Sequence, residues 1–298
     1  MKMKNYTIAL PAAAGLAALL LTACGSSTGS HPAAGTTTSP APDRAASAVA
    51  VTQRDDSNWA GYVAASSAAA NTSFSSVSGS WTQPAADCAA GSPSYSAFWV
   101  GLGGYSGDHL EQTGTSADCS AAGQATYSAW YELVPAAQVA VSMTVQPGDR
   151  LSAHVAVSGD TVTVSLSDST RHTSFSKQLQ MSDPTVSSAE WIAEAPSRCV
   201  SSQDCHILSL ADFGSVTFTS ASASADGRTG SITSGLGTIS ALTLEANAGF
   251  GRLYATAAQA DASPSALSGN GSSFTVNWQH PEIQMPTQPV IASGPIYN

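Results

Sequence analysis

Leu151-Ser152-Ala153-His154-Val155-Ala156-Val157, a Ser158-Gly159-Asp160 break, and Thr161-Val162-Thr163-Val164-Ser165-Leu166 decide the fold class of this chain. On either side of the break apolar residues return at every second position, the period of a half-buried strand; a helix would return them every three or four. Gly and Asp in the break supply the backbone freedom of a tight turn. The segment reads as two antiparallel strands joined by a hairpin.

The same pattern recurs to either side. Short alternating segments between turn residues predict strands at Ser57–Ala65, Ser73–Thr82, Ser94–Leu102, Ala125–Val134, Val139–Val145 and Ser174–Leu179, and at Glu190–Ala193, Ser215–Thr219, Ile239–Glu245, Arg252–Ala257 and Phe274–Trp278. Pro147-Gly148-Asp149 is a second turn signal, and no long amphipathic helix is visible. So many short strands in one domain predict an all-β sandwich or barrel. The expected domain covers residues 53–280, between a Ser/Thr/Ala/Gly/Pro-rich tether over 24–52 and a Pro-rich tail over 281–298. A Gly25-Ser26-Ser27-Thr28-Gly29 match to the hydrolase elbow lies inside the tether, without the strand and helix that would give it meaning.

The 298 residues carry 10 Lys and Arg against 20 Asp and Glu, a balance of −10, which argues against nucleic acid or an anionic membrane surface as partner. Few bases also means little self-repulsion once the carboxylates are protonated, so the chain suits acid; an exported β protein with a Ser/Thr-rich surface would look the same. Lys2 and Lys4, an apolar run from Ile8 to Leu21, and Leu21-Thr22-Ala23-Cys24-Gly25 read as a signal peptide over 1–23. The residues before Cys24 resemble the bacterial lipoprotein box, which implies cleavage before Cys24, lipid on that residue, and a place at the outer face of the cytoplasmic membrane; ordinary secretion is the alternative. No later run approaches the ~18 apolar residues of a spanning helix, so membrane contact is expected only through the anchor.

Cys88, Cys119, Cys199 and Cys205 then remain, an even number in an oxidising compartment, and two disulfides are expected. Cys199–Cys205 as a small loop staple with Cys88–Cys119 as the longer tie is favoured among three connectivities. Neither a Cys-x-x-Cys pair nor His-Glu-x-x-His is present, so no metal and no cofactor are expected.

Two strands carry candidate chemistry. Period-two geometry puts Ser128, Trp130 and Glu132 on one face of Thr126–Glu132, and Glu190, Ile192 and Glu194 on one face of Ser188–Glu194, opposite Trp191. Carboxylates beside indoles on a sheet face could cleave peptides, cleave glycans or hold sugar, and periodicity does not choose. Solvated strand faces around core aromatics would give the same pattern.

Ser57-Asn58-Trp59-Ala60-Gly61, Phe98-Trp99-Val100-Gly101, Leu110-Glu111-Gln112-Thr113-Gly114, Tyr127–Glu132, Ala189–Glu194 and Ala211-Asp212-Phe213, in that order, resemble the glutamic peptidases called eqolisins. The resemblance implies a two-sheet antiparallel β-sandwich of concanavalin-like jelly-roll form, polypeptide substrates, an acidic optimum, insensitivity to pepstatin, and a Gln–Glu catalytic dyad. Carried over, the dyad is Gln112 and Glu194, with Glu190 a secondary or structural carboxylate. It also suggests Trp59, Trp99, Trp130 and Glu132 as substrate-binding groove residues, core packing being the alternative for the indoles. Fungal members carry Asp where this chain has Gly103 and Ser128, which thins the acidic cluster near the cleft and leaves subsite preference open. A monomer is expected. A glycosidase using Glu132 and Glu194, or a non-catalytic glycan-binding sandwich, stands as the alternative.

Overall fold

A computed structural model describes residues 49–67, 71–105, 107–201, 204–245 and 261–280, which hold strands and no helix. The strands are β1 (Val51–Asp56), β2 (Trp59–Ala65), β3 (Phe74–Thr82), β4 (Ser94–Gly103), β5 (Leu110–Cys119), β6 (Ala125–Val134) and β7 (Val139–Val141). Then come β8 (Arg150–Ser158), β9 (Thr161–Asp168), β10 (Thr173–Gln180), β11 (Ser188–Glu194), β12 (Ser197–Ser201) and β13 (Asp204–Ile207). The last are β14 (Ser215–Ala225), β15 (Arg228–Ser231), β16 (Thr238–Leu244), β17 (Asp261–Pro264) and β18 (Phe274–Gln279).

The hairpin read first is β8–β9, paired antiparallel from Leu151↔Asp168 to Ser158↔Thr161. Its alternating set, Leu151, Ala153, Val155, Val162, Val164 and Leu166, is buried. Hydrogen bonding runs without a break in the order β10-β9-β8-β3-β14-β18-β17-β16-β2-β11-β4-β5-β6-β7. The two expected sheets are thus one sheet folded into two layers, and β18 and β17 carry the pairing from one layer to the other. β3, β8, β9 and β14 pack face to face with β4, β5 and β11. Between the layers lie Trp81, Phe98, Val100, Trp191 and Phe218, each almost wholly buried; burying aromatic side chains of this size is the dominant favourable term in such a core.

β1 is the exception to the antiparallel rule, running parallel to β16 from Val51↔Ile239 to Asp56↔Leu244. It takes in the last two residues of the expected tether. β5 is a strand that alternation misses: Leu110–Cys119 is buried at nearly every position, yet polar residues stand on both faces, Glu111, Thr113 and Thr115 on one and Gln112, Ser116 and Asp118 on the other, so no apolar period shows. β14 runs on to Ala225, beyond the expected Thr219, and the strand expected over Val139–Val145 stops at Val141. The signal peptide, Cys24, the tether up to residue 48, the expected Arg252–Ala257 strand and the Pro-rich tail lie outside the described residues. Among the described residues no helix is long and apolar enough to cross a membrane.

Both disulfides pair as favoured: Cys88–Cys119 with Cα atoms 5.4 Å apart, and Cys199–Cys205 at 4.0 Å. The first closes a separation of 31 residues and ties the segment after β3 to the end of β5. Replacing Cys88 and Cys119 together with Ser is expected to cost about 2–4 kcal/mol, read as a drop in urea midpoint with a larger m-value, because the unfolded chain loses its cross-link and exposes more surface.

Candidate active site

The layer β2-β11-β4-β5-β6 has a second apolar face, turned away from the main core. Val63, Ala97, Trp99, Leu110, Trp130, Ile192 and Leu242 are buried there, with Trp59, Tyr105 and Val134 partly exposed above them. Strand register sorts this face into rows. One row runs Val63–Glu190–Gly101–Gln112–Glu132 across β2, β11, β4, β5 and β6. Another, four residues along β11, runs Trp59–Glu194–Ala97–Ser116–Ser128. Between them lies Gly61–Ile192–Trp99–Gly114–Trp130.

Trp99 joins the two outer rows. Its ring lies over Gly101, where a Cβ would come within 2.9 Å of Trp99 Cζ3, while its Nε1 donates to Glu194 Oε2 at 2.7 Å. Gly114 makes room for the same indole, since a Cβ there would strike Phe98 O and come within 2.6 Å of Trp99 Cβ. Gly114→Ala is therefore expected to displace Trp99 and cost about 1–3 kcal/mol of stability by overpacking, together with a loss of function. Urea denaturation beside a turnover assay measures both.

Glu194 Oε1 accepts from Asn58 Nδ2 at 3.0 Å, and the Trp59 indole is a further donor to the carboxyl. Trp59 meets Trp99 edge-on, centroids 4.9 Å apart. The residue keeps part of its surface open, while its carboxyl sits deep among these rings. Desolvation raises its pKa to about 8; the indole donors oppose the rise, and the charges of Glu132 and Asp56 add to it.

Gln112 is buried on β5, and its Nε2 donates to Glu132 Oε2 at 2.8 Å. Gln112 Oε1 is buried with no partner among the described residues. Desolvation also raises the Glu132 pKa, opposed by the bond from Gln112. Register sets Gln112 and Glu132 in one outer row and Trp59 and Glu194 in the other; Trp99, in the row between them, bonds Glu194, and Glu132 is near enough to Glu194 to act on its charge. Trp99 and Trp130 are both floor rather than open groove: they are 0% and 2% exposed, and their Nε1 groups are taken by Glu194 Oε2 and by Ser116 Oγ at 2.9 Å.

Glu190 shares the face, as parity predicts, but not the surroundings. It is fully buried, neither oxygen receives a hydrogen bond of normal geometry, and its pKa is raised to about 8, first by burial and then by the charge of Glu111. Glu111, equally buried, accepts one bond from Thr185 N at 3.2 Å, and burial raises it to about 7. Sequence reasoning passes over Asn58, Glu111 and Asp56. Asn58 and Glu111 lie inside family-like motifs, yet nothing local says that the Asn58 amide reaches a carboxyl 136 residues away.

Comparison with known proteins gives a consistent picture. The family model described as the Peptidase A4 family matches residues 57–266. Aspergillopepsin-2 of Aspergillus niger is 32% identical over 202 residues, 58% of this chain and 66% of the relative, so the match spans just under two thirds of that protein. The crystal structure of scytalido-glutamic peptidase with a transition state analog inhibitor is 25% identical, covers 75% of this chain and 98% of its own, and superposes with a TM-score of 0.60. SCP-B, a member of the eqolisin family solved with the tripeptide Ala-Ile-His, shares the fold at 23% identity, the same coverage and a TM-score of 0.57.

Proposed function

Because this chain belongs to the Peptidase A4 family, we propose that it is an exported glutamic endopeptidase that hydrolyses polypeptides with Gln112 and Glu194. The observation that carries the reading is the pair of hydrogen-bonded carboxyls on one sheet face, with Trp99 and Asn58 on Glu194 and Gln112 on Glu132.

Peptide hydrolysis needs a base for water, a donor for the developing oxyanion and a proton for the leaving amine. Ionised Glu194 takes a proton from water as the oxygen bonds to the carbonyl carbon. One N–H of Gln112 is spent on Glu132, which fixes the orientation of the amide. The other N–H is left for the oxyanion, and the unpartnered Oε1 for the second proton of the water. As the tetrahedral intermediate collapses, the C–N bond breaks and the proton held by Glu194 passes to the amine. An amide keeps these roles at acid pH, where a His base is already protonated.

Glu194 and Glu132 titrate as a coupled pair, and the working form carries one proton and one charge between them. Activity then falls at low pH as both protonate, and falls again as pH rises toward the value near 8 to which Glu194 is raised. Export and lipid attachment at Cys24 are supported by the signal-like N-terminus, and export also by the two disulfides. The test is digestion of an unfolded protein near pH 3 and near pH 7 with pepstatin present. Pepstatin-resistant cleavage is expected; an inert protein in both arms sinks the proposal.

A further inference from the structure

Glu194 is the last residue of β11, paired to Trp59 on one side and Ala97 on the other, which fixes its backbone but not its side chain, so something else must hold its carboxyl in one rotamer. Trp99 supplies one N–H, to Oε2. The donor on Oε1, Asn58 Nδ2, comes from the bend between β1 and β2, and that bend is itself tied down. Asp56 Oδ1 accepts the backbone N–H groups of both Asn58 and Trp59, each at 3.0 Å. In turn Asn58 O accepts the N–H of Ala195, the residue after Glu194, at 2.9 Å. The bend is thus latched to the end of β11 twice, through main chain and side chain.

From this we propose that Asn58, oriented by Asp56, is a positioning residue that fixes the Glu194 carboxyl for proton transfer; the inference rests on Glu194 being the acid–base group. An amide is suited to the task because it is neutral and donates to the carboxyl in either protonation state, whereas a cation would hold it permanently ionised. Asp56 lies one residue before the family-matched span, at the end of a strand added parallel to β16. The end of β1 thereby becomes part of the active-site support.

The test uses the full folded chain and four variants: Asn58→Leu, Asp56→Ala, Asp56→Asn and Glu194→Gln. Asn58→Leu keeps the volume and removes the donor. It is expected to lower kcat about 10- to 100-fold, the worth of one hydrogen bond to a charged group, with KM nearly unchanged and the alkaline limb of the pH profile moved upward. Asp56→Ala is expected to lower kcat in the same way. Asp56→Asn, whose amide oxygen accepts the same two N–H groups, is expected to regain most of the turnover that Asp56→Ala loses, with the alkaline limb moved downward because a neighbouring charge is gone. Wild-type kcat and pH profile in Asn58→Leu, or equal kcat in the two Asp56 variants, overturns the positioning role. If Asn58→Leu does not fold, the Asp56 comparison decides alone. An active Glu194→Gln overturns the dyad itself, so the two failures are distinguishable.

Discussion

Glu194→Gln is expected to lower kcat by about 10²–10⁴-fold, the range that a positioned acid–base group contributes, with KM little changed. Glutamine has the same shape and keeps an acceptor for the Trp99 indole or the Asn58 amide, so a thermal melt close to wild type separates lost chemistry from lost structure. Gln112→Ala is expected to lower kcat about 10²–10³-fold, the cost of one oxyanion donor. Both residues serve one water and one oxyanion, so the double variant should fall little below the weaker single variant. Turnover of Glu194→Gln within tenfold of wild type would refute the dyad. If only Gln112→Ala stays active, the Glu132–Glu194 carboxyl pair becomes a glycosidase candidate, and polysaccharide cleavage is the assay that follows.

The second large effect is on stability. Folding holds Glu111 and Glu190 out of water, raising their pKa values from 4.5 to about 7 and about 8. In the unfolded chain both ionise near the ordinary carboxylate value, so between there and 8 the folded state binds more protons than the unfolded one. Stability is therefore full below pH 4.5 and is lost as pH rises toward 8. At about 1.4 kcal/mol per pKa unit, Glu190 alone gives a loss on the order of 4–5 kcal/mol, and Glu111 adds in the same direction. Urea unfolding at pH 4, 6 and 8 is expected to show midpoints falling steadily. Glu190→Gln, neutral at every pH, should match wild type at pH 4 and exceed it at pH 8. Stability that is level or rising over this range would show that the two carboxyls are solvated or paired in a way their surroundings do not suggest.

The sequence carried the fold wherever one face meets water. β8 and β9 alternate cleanly, and so were read correctly. β5, which supplies Gln112, does not declare itself as a strand because polar residues stand on both of its faces, and it is legible only as a motif. Parity correctly set Glu190 and Glu194 on one face but could not rank them. What separates them is environment: Glu194 takes N–H groups from β4 and from the β1–β2 bend, while Glu190 takes none of normal geometry. Those donors lie 95 and 136 residues away in the chain, so no local pattern could reveal them. Trp130 shows the same limit from the other side, since an indole on the groove face need not open into the groove.

Among the described residues the sheet that runs from β10 to β7 has no strand paired beyond either end, and an uncovered end is a template onto which a second copy could add a strand. Near pH 4.8 the net charge vanishes and repulsion between copies fades, so colloidal stability rests on those ends themselves. β10 is guarded by Lys177 and a run of Ser, Thr and Gln. β7, apolar and exposed at Val139, is guarded by length alone: three residues offer too few backbone pairs to seed self-association. Solubility in acid is thus set partly by where a short strand stops.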